Sequence, residues 1–137
     1  MGSGYIGYTY TEGASERLKP KNLMEELEKS NVKFTKDDVI LVTKGYNGKL
    51  LWLEKGNERS GLIHIMKNHK NNFRDVSVPS LIKELTRQKP YKHFEKNNGK
   101  ELSDVYVYKK NGKKYLLAYG SNGYIVTFFR ISGGRYV

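Results

Sequence analysis

Two of the three histidines, His64 and His69, fall within residues 52 to 73, WLEKGNERSGLIHIMKNHKNNF. The same stretch holds Glu54, Lys55, Glu58, Arg59, Lys67 and Asn68. An imidazole titrates near neutral pH, so it can take or give a proton. Cutting RNA without a metal needs a base for the 2′-hydroxyl and an acid for the leaving 5′-oxygen. It also needs cations or donors for the charge gathering on phosphorus. Two histidines, a lysine and a hydroxyl residue are a sufficient set. The chain offers His64, His69, Lys67, Arg59 and, near its far end, Thr127.

Spacing limits what the pair can do. Histidines at i and i+4 on a helix can share a zinc ion; these are five apart, which sets them roughly 140° apart around a helix. With no cysteine in the chain, the donor set argues against a metal. The same angle predicts that the two cannot face one phosphate unless the helix ends or bends before His69, or one histidine supports the other. His69 lies on the apolar stripe of Leu62, Ile65 and Met66 and reads by default as a core histidine. His64 lies off that stripe, with Lys67 and Asn68 at i+3 and i+4, and is the preferred catalytic residue. His93 reads as incidental. Glu54 and Glu58 either orient a histidine or serve as surface ion-pair partners of little weight. Thr127, in phase with Ile125 and Phe129, and Tyr124, in phase with Val126 and Phe128, are by default strand-packing residues.

These groups need a scaffold. Pro20 followed by Leu23, Met24 and Leu27 predicts a helix over 20–30. Val39 to Val42 and Leu50 to Leu53, joined through Asn47-Gly48, predict a β-hairpin. A short helix over 36–42, capped by Thr35 with Asp38, competes with its first strand. Helical period returns over 59–72, and again in SLIKELTRQ up to Pro90, which cannot continue a helix. The last third predicts three strands, 105–108, 115–119 and 124–131, with turns at Asn111-Gly112 and Asn122-Gly123. The expected fold is α+β: helices and a hairpin packed on one face of a C-terminal antiparallel meander. The meander's other face is expected to be open and to carry aromatic and basic residues.

At 137 residues the chain fits one domain, assigned to 19–137, with 1–18 as a flexible arm or linker remnant. A formal charge of +11, from 25 basic and 14 acidic residues, favours polyanions. Nucleic acid is the first partner to consider, then an anionic membrane, then an acidic inhibitor protein. Tyrosines number 11 and suit half-buried strands and stacking surfaces. The absence of cysteine excludes disulfides and thiolate metal sites. No apolar run approaches the roughly 20 residues that a membrane-spanning helix needs, and the start has no signal-peptide pattern.

The pattern W-x-E-x-G-N-E-x-x-G-L-x-H-I-x-x-x-H, Trp52 through His69, resembles the barnase–EndoU–colicin–RelE-like nucleases. The likeness is to members found as polymorphic-toxin tips and in phage-associated proteins. The block DVYVYKKNGKKYLLAYGSNGYIVTFF, a meander whose last strand holds a threonine, resembles them too. The resemblance covers roughly residues 35 to 131. It implies a metal-independent endoribonuclease with no cofactor, cutting RNA, often tRNA, to a 2′,3′-cyclic phosphate. It implies His64, His69 and Thr127 as catalytic residues; Lys67 and Tyr124 are added on chemical grounds, with Arg59, Lys55, Lys70 and Arg130 as the RNA grip. It also implies an acidic immunity or antitoxin partner, delivery within a larger secreted or phage-associated protein, and action in the cytoplasm of a target bacterium. Two other readings stand beside it: a basic nucleic-acid-binding module without catalysis, and an interaction domain whose charge serves an acidic partner.

Overall fold

Pro20, with φ at −57°, opens the first helix, α1 (Lys21–Lys29); its carbonyl takes the N–H groups of Leu23 and Met24 at 3.0 and 2.9 Å. The computed structural model describes residues 18–69, 73, 77–98 and 101–131, with 96–98 and 101–103 as backbone alone. The expected arm, apart from Leu18, lies outside the described residues, as do Lys70 and the tail after Ile131. Leu27 of α1 is fully buried against Val39, Val42 and Trp52, and Leu23 and Met24 pack beside it. A single 3-10 turn, Lys36–Asp38, leads straight into β1 (Val39–Lys44). The competing helix over 36–42 thus shrinks to that turn, without a side-chain cap from Thr35, because the Val39–Val42 run is β-branched and buried.

Strand β1 pairs antiparallel with β2 (Leu50–Glu54). Next come α2 (Leu62–His69) and α3 (Val78–Thr86). Ser77 caps α3 by accepting the Ser80 N–H, and Pro79 sits in its first turn, where no hydrogen bond is lost. Strands β3 (Lys92–Asn98), β4 (Glu101–Lys110), β5 (Lys113–Gly120) and β6 (Ile125–Ile131) form a four-stranded antiparallel meander in sequence order. The fold is therefore α+β. Three of these strands follow the sequence expectation. The fourth, β3, was missed because KHFEKNN is polar and shows none of the β-branched alternation that marks a strand.

One face of the meander, with Tyr106, Tyr108, Tyr115, Leu117, Tyr119 and Phe128, joins the main core with Leu41, Leu51, Leu53, Leu62, Ile65 and the apolar side of α3. Burial pushes the phenols of Tyr108 and Tyr119 above their usual range, so they stay neutral. The opposite face was expected to be open. Instead Val105, Val107, Leu116, Ala118 and Ile131 form a second buried cluster there, with Phe94 and Phe129 packed against it. The alternation of β4 and β5 is apolar on both sides, which an open sheet does not need.

The two sheets are joined where Trp52 bridges Tyr124 in parallel and the Trp52 N–H donates to the Gly123 carbonyl at 3.0 Å. Gly123 has φ at +97°, and a Cβ there would lie 2.2 Å from the Leu50 carbonyl oxygen, so only glycine lets the backbones meet. No helix among the described residues is long and apolar enough to cross a membrane.

Candidate active site

Helix α2 is hung on the edge of the meander by its entry loop. The Gly61 N–H donates to the Val126 carbonyl of β6 at 3.0 Å, and the Ile63 N–H donates to Lys55 O at 2.9 Å. Gly61 takes φ at +87°, and a Cβ would come within 2.9 Å of both the Glu54 carbonyl oxygen and Gly56 Cα. The loop folds on itself through Asn57 N–H to Ser60 O and Arg59 N–H to Asn57 Oδ1. Ser60 Oγ then meets the Tyr124 hydroxyl at 2.8 Å. Tyr124, expected among the catalytic residues, is found clamping the loop, with its ring edge-on to Trp52.

An irregularity in β6 aims the hydroxyl. Ala118 pairs with Thr127 but Tyr119 pairs with Ile125, so Val126 is an extra residue in the strand. Such a bulge breaks the alternation of faces. Ile125 turns into the main core, whereas Thr127 and Phe129 share the opposite face. The expected phase of Ile125 with Thr127 is corrected by that one residue. The bulged Val126 is also the residue whose carbonyl receives α2, so one local feature both docks the helix and points Thr127 at it.

The result is a convergence across 63 positions of sequence: His64 Nε2 lies 3.0 Å from Thr127 Oγ1. The other ring nitrogen, Nδ1, lies 3.0 Å from the Glu58 carbonyl and 2.9 Å from Asn68 Nδ2, and that amide also donates to the His64 carbonyl at 3.1 Å. The carbonyl favours the state with a proton on Nδ1, and the amide favours the state without one. A hydroxyl can donate or accept, so Thr127 suits either state of Nε2. The imidazole is thus oriented without being fixed in one tautomer, as a group that must alternate between acid and base requires.

His69, the last residue of α2, stacks on Phe129 with ring centroids 4.8 Å apart and meets the His64 ring edge-on at 5.8 Å. An angle of about 140° around the axis does not keep the rings apart, and His69 is where α2 ends. Both rings swing towards β6, one held by Thr127 and the other by Phe129. Nor is His69 a core residue, since it is only half-buried. Partial burial, and next the charge of His64, hold the His69 imidazole below its ordinary value of 6.5, so it is neutral at neutral pH.

The remaining expected residues divide. Lys67 is exposed and ion-paired with Glu58, whose carboxyl that ammonium holds below its usual range. Lys55 and Arg59 are exposed on the loop beside α2. Arg130 pairs across from Tyr115, on the sheet face opposite Thr127. Glu54 does not touch a histidine: its Oε2 accepts the Trp52 indole N–H at 2.9 Å and the Thr35 N–H at 3.1 Å, so it supports the core. Two partners of His64 were not assigned from sequence. Asn68 had a signal, its i+4 spacing from His64. The Glu58 main-chain carbonyl had none.

Among the described residues no three His, Cys, Asp or Glu side chains gather as a metal ion would require. No family model matches the chain, and no curated protein is found to be similar to it.

Proposed function

We propose that the chain is an endoribonuclease that cuts RNA by attack of a 2′-hydroxyl on the adjacent phosphorus. The observation that carries this reading is the meeting of His64 Nε2 with Thr127 Oγ1 at 3.0 Å, with the His69 ring against the His64 ring. His69, kept neutral, takes the 2′-hydroxyl proton as the 2′-oxygen bonds to phosphorus. His64, protonated, gives its Nε2 proton to the 5′-oxygen as the P–O5′ bond breaks. One proton is taken and one given, and the products are a 2′,3′-cyclic phosphate and a 5′-hydroxyl. Thr127 donates to a non-bridging oxygen of the phosphorane. Lys55 and Arg59 hold flanking phosphates, and Lys67 joins them by exchanging Glu58 for phosphate.

A basic chain of this kind takes tRNA as its first substrate to test, and its partner is an acidic immunity or antitoxin protein. Acting in the cytoplasm of a target bacterium, it would arrive as part of a larger secreted or phage-associated protein. The deciding experiment incubates the purified chain with total tRNA in the presence of a chelator and analyses the product ends. Fragments with 2′,3′-cyclic phosphate and 5′-hydroxyl ends, lost in His64→Ala, are expected. Intact tRNA, or cleavage indifferent to His64→Ala, overturns the proposal. Binding without cleavage would leave a nucleic-acid-binding module in its place.

A further inference from the structure

The turn between β4 and β5 is Asn111-Gly112, flanked on each side by two lysines, KKNGKK. The register sets Lys109 directly opposite Lys114 and Lys110 opposite Lys113. Like charges facing each other across a strand pair oppose folding. On one face Lys110 meets Glu84 at 2.8 Å. On the other face three ammonium groups gather around a single ring. Lys109 Nζ lies 3.6 Å from the Tyr91 ring centroid, Lys114 Nζ at 5.5 Å and Lys92 Nζ at 6.0 Å. Among the described residues Tyr91 is one of two large hydrophobic residues left exposed, at 39 %. An exposed ring beside ammonium groups suits a single-stranded polyanion, whose bases stack on rings while its phosphates take the cations.

The place of this cluster in the sheet matters. Strand alternation puts Lys114, Leu116 and Ala118 of β5 on one face, and Ala118 is the partner of Thr127. Lys114 and the catalytic threonine therefore belong to the same face, four residues apart along β5, or about 13 Å. Buried Leu116 and Ile131 separate them, so a ligand must span the gap by its own length.

We infer that Tyr91 with Lys92, Lys109 and Lys114 forms a second binding site for single-stranded RNA, which anchors the strand a few nucleotides from the bond to be cut. The inference rests on the RNA reading of the His64 site. A peptide partner would need acidic side chains at the same spacing, whereas every phosphodiester carries the charge this cluster answers.

The test measures binding of labelled 2′-O-methyl oligonucleotides, which lack the attacking hydroxyl, to the whole chain and to a K109Q/K114Q variant. The chain is expected to bind a 12-mer more tightly than a 3-mer. The variant is expected to lose about tenfold on the 12-mer, and less on the 3-mer. The slope of its affinity against salt should become shallower by about 0.7 for each phosphate it no longer holds. Its far-UV circular dichroism should match that of the unaltered chain, so that lost binding is not lost fold. Equal loss on both lengths, no loss, or binding only to acidic peptides overturns the inference. Failure of the chain to bind either oligonucleotide overturns both this inference and the nuclease reading. A chain that binds the 12-mer through these lysines yet cuts nothing upholds the second site and sinks only the nuclease.

Discussion

His64 and His93 each have a lysine within three positions, and the structure treats them in opposite ways. His93 sits on β3 and lies flat on Tyr106 of β4, with ring centroids 4.1 Å apart and planes 6° apart. Its Nε2 meets Asp104 Oδ1 at 3.1 Å, a partner only 11 residues away in the neighbouring strand. His64 has no carboxylate at either nitrogen among the described residues; it meets a hydroxyl, a main-chain carbonyl and an amide. A stacked ring facing a carboxylate is committed to one role. A ring whose partners tolerate either protonation state can pass a proton on. Histidines at a strand pair and at a helix–sheet junction thus differ less in exposure than in what surrounds them.

Mutation tests this contrast most directly. His64→Ala is expected to lower kcat/KM for RNA cleavage by about 10²–10⁴, while His93→Ala leaves it unchanged. Equal losses would erase the distinction between the two. Thr127→Val should cost about 10² in kcat, and Thr127→Ser should recover most of it, since only the hydroxyl is required. If valine is as active as threonine, the hydroxyl is merely packing.

Gly61→Ala forces a side chain onto a backbone at φ +87° and into the Glu54 carbonyl. Denaturant unfolding should show a loss of about 1–3 kcal/mol, together with lost activity, because α2 can no longer dock on Val126. A fully stable variant would mean that the helix is held by other contacts.

A finer test follows His69 by NMR. Its folded pKa lies below the ordinary 6.5. Between those two values the unfolded chain binds more protons, so this group makes stability rise with pH through that window and fall as pH drops through it. Replacing His64 by Gln removes one of the two causes, and the His69 pKa should move up while remaining lowered by burial. A downward move would show that the pair is not electrostatically linked.

The architecture was readable where local rules are strong. Pro20 and the Leu23–Leu27 stripe mark α1; Asn111-Gly112 and Asn122-Gly123 mark turns; Val39–Val42 marks a strand. β3 escaped because its pairing with β4, rather than its own composition, makes it a strand. At the site, the cluster of residues in the histidine stretch was legible, but the angle between His64 and His69 said little about their contact, since an angle around an axis ignores how far two side chains can lean towards a neighbouring strand. The extra residue at Val126 had no signal at all, because a bulge is set by the register between strands. Lys67, added to the site on chemical grounds, is found paired with Glu58, an interaction between residues nine apart that no helix spacing predicts.

That same bulge has a consequence for when the site is assembled. The contact between His64 and Thr127 closes a loop of 63 residues, and pairings of such long range form late in folding. Until β6 has joined β5 with its extra residue in place, the two halves of the site belong to separate pieces of chain. A chain threaded through a narrow passage, or held open by a chaperone, carries every residue of the site and none of its geometry. Whatever the site does would be switched on by folding itself.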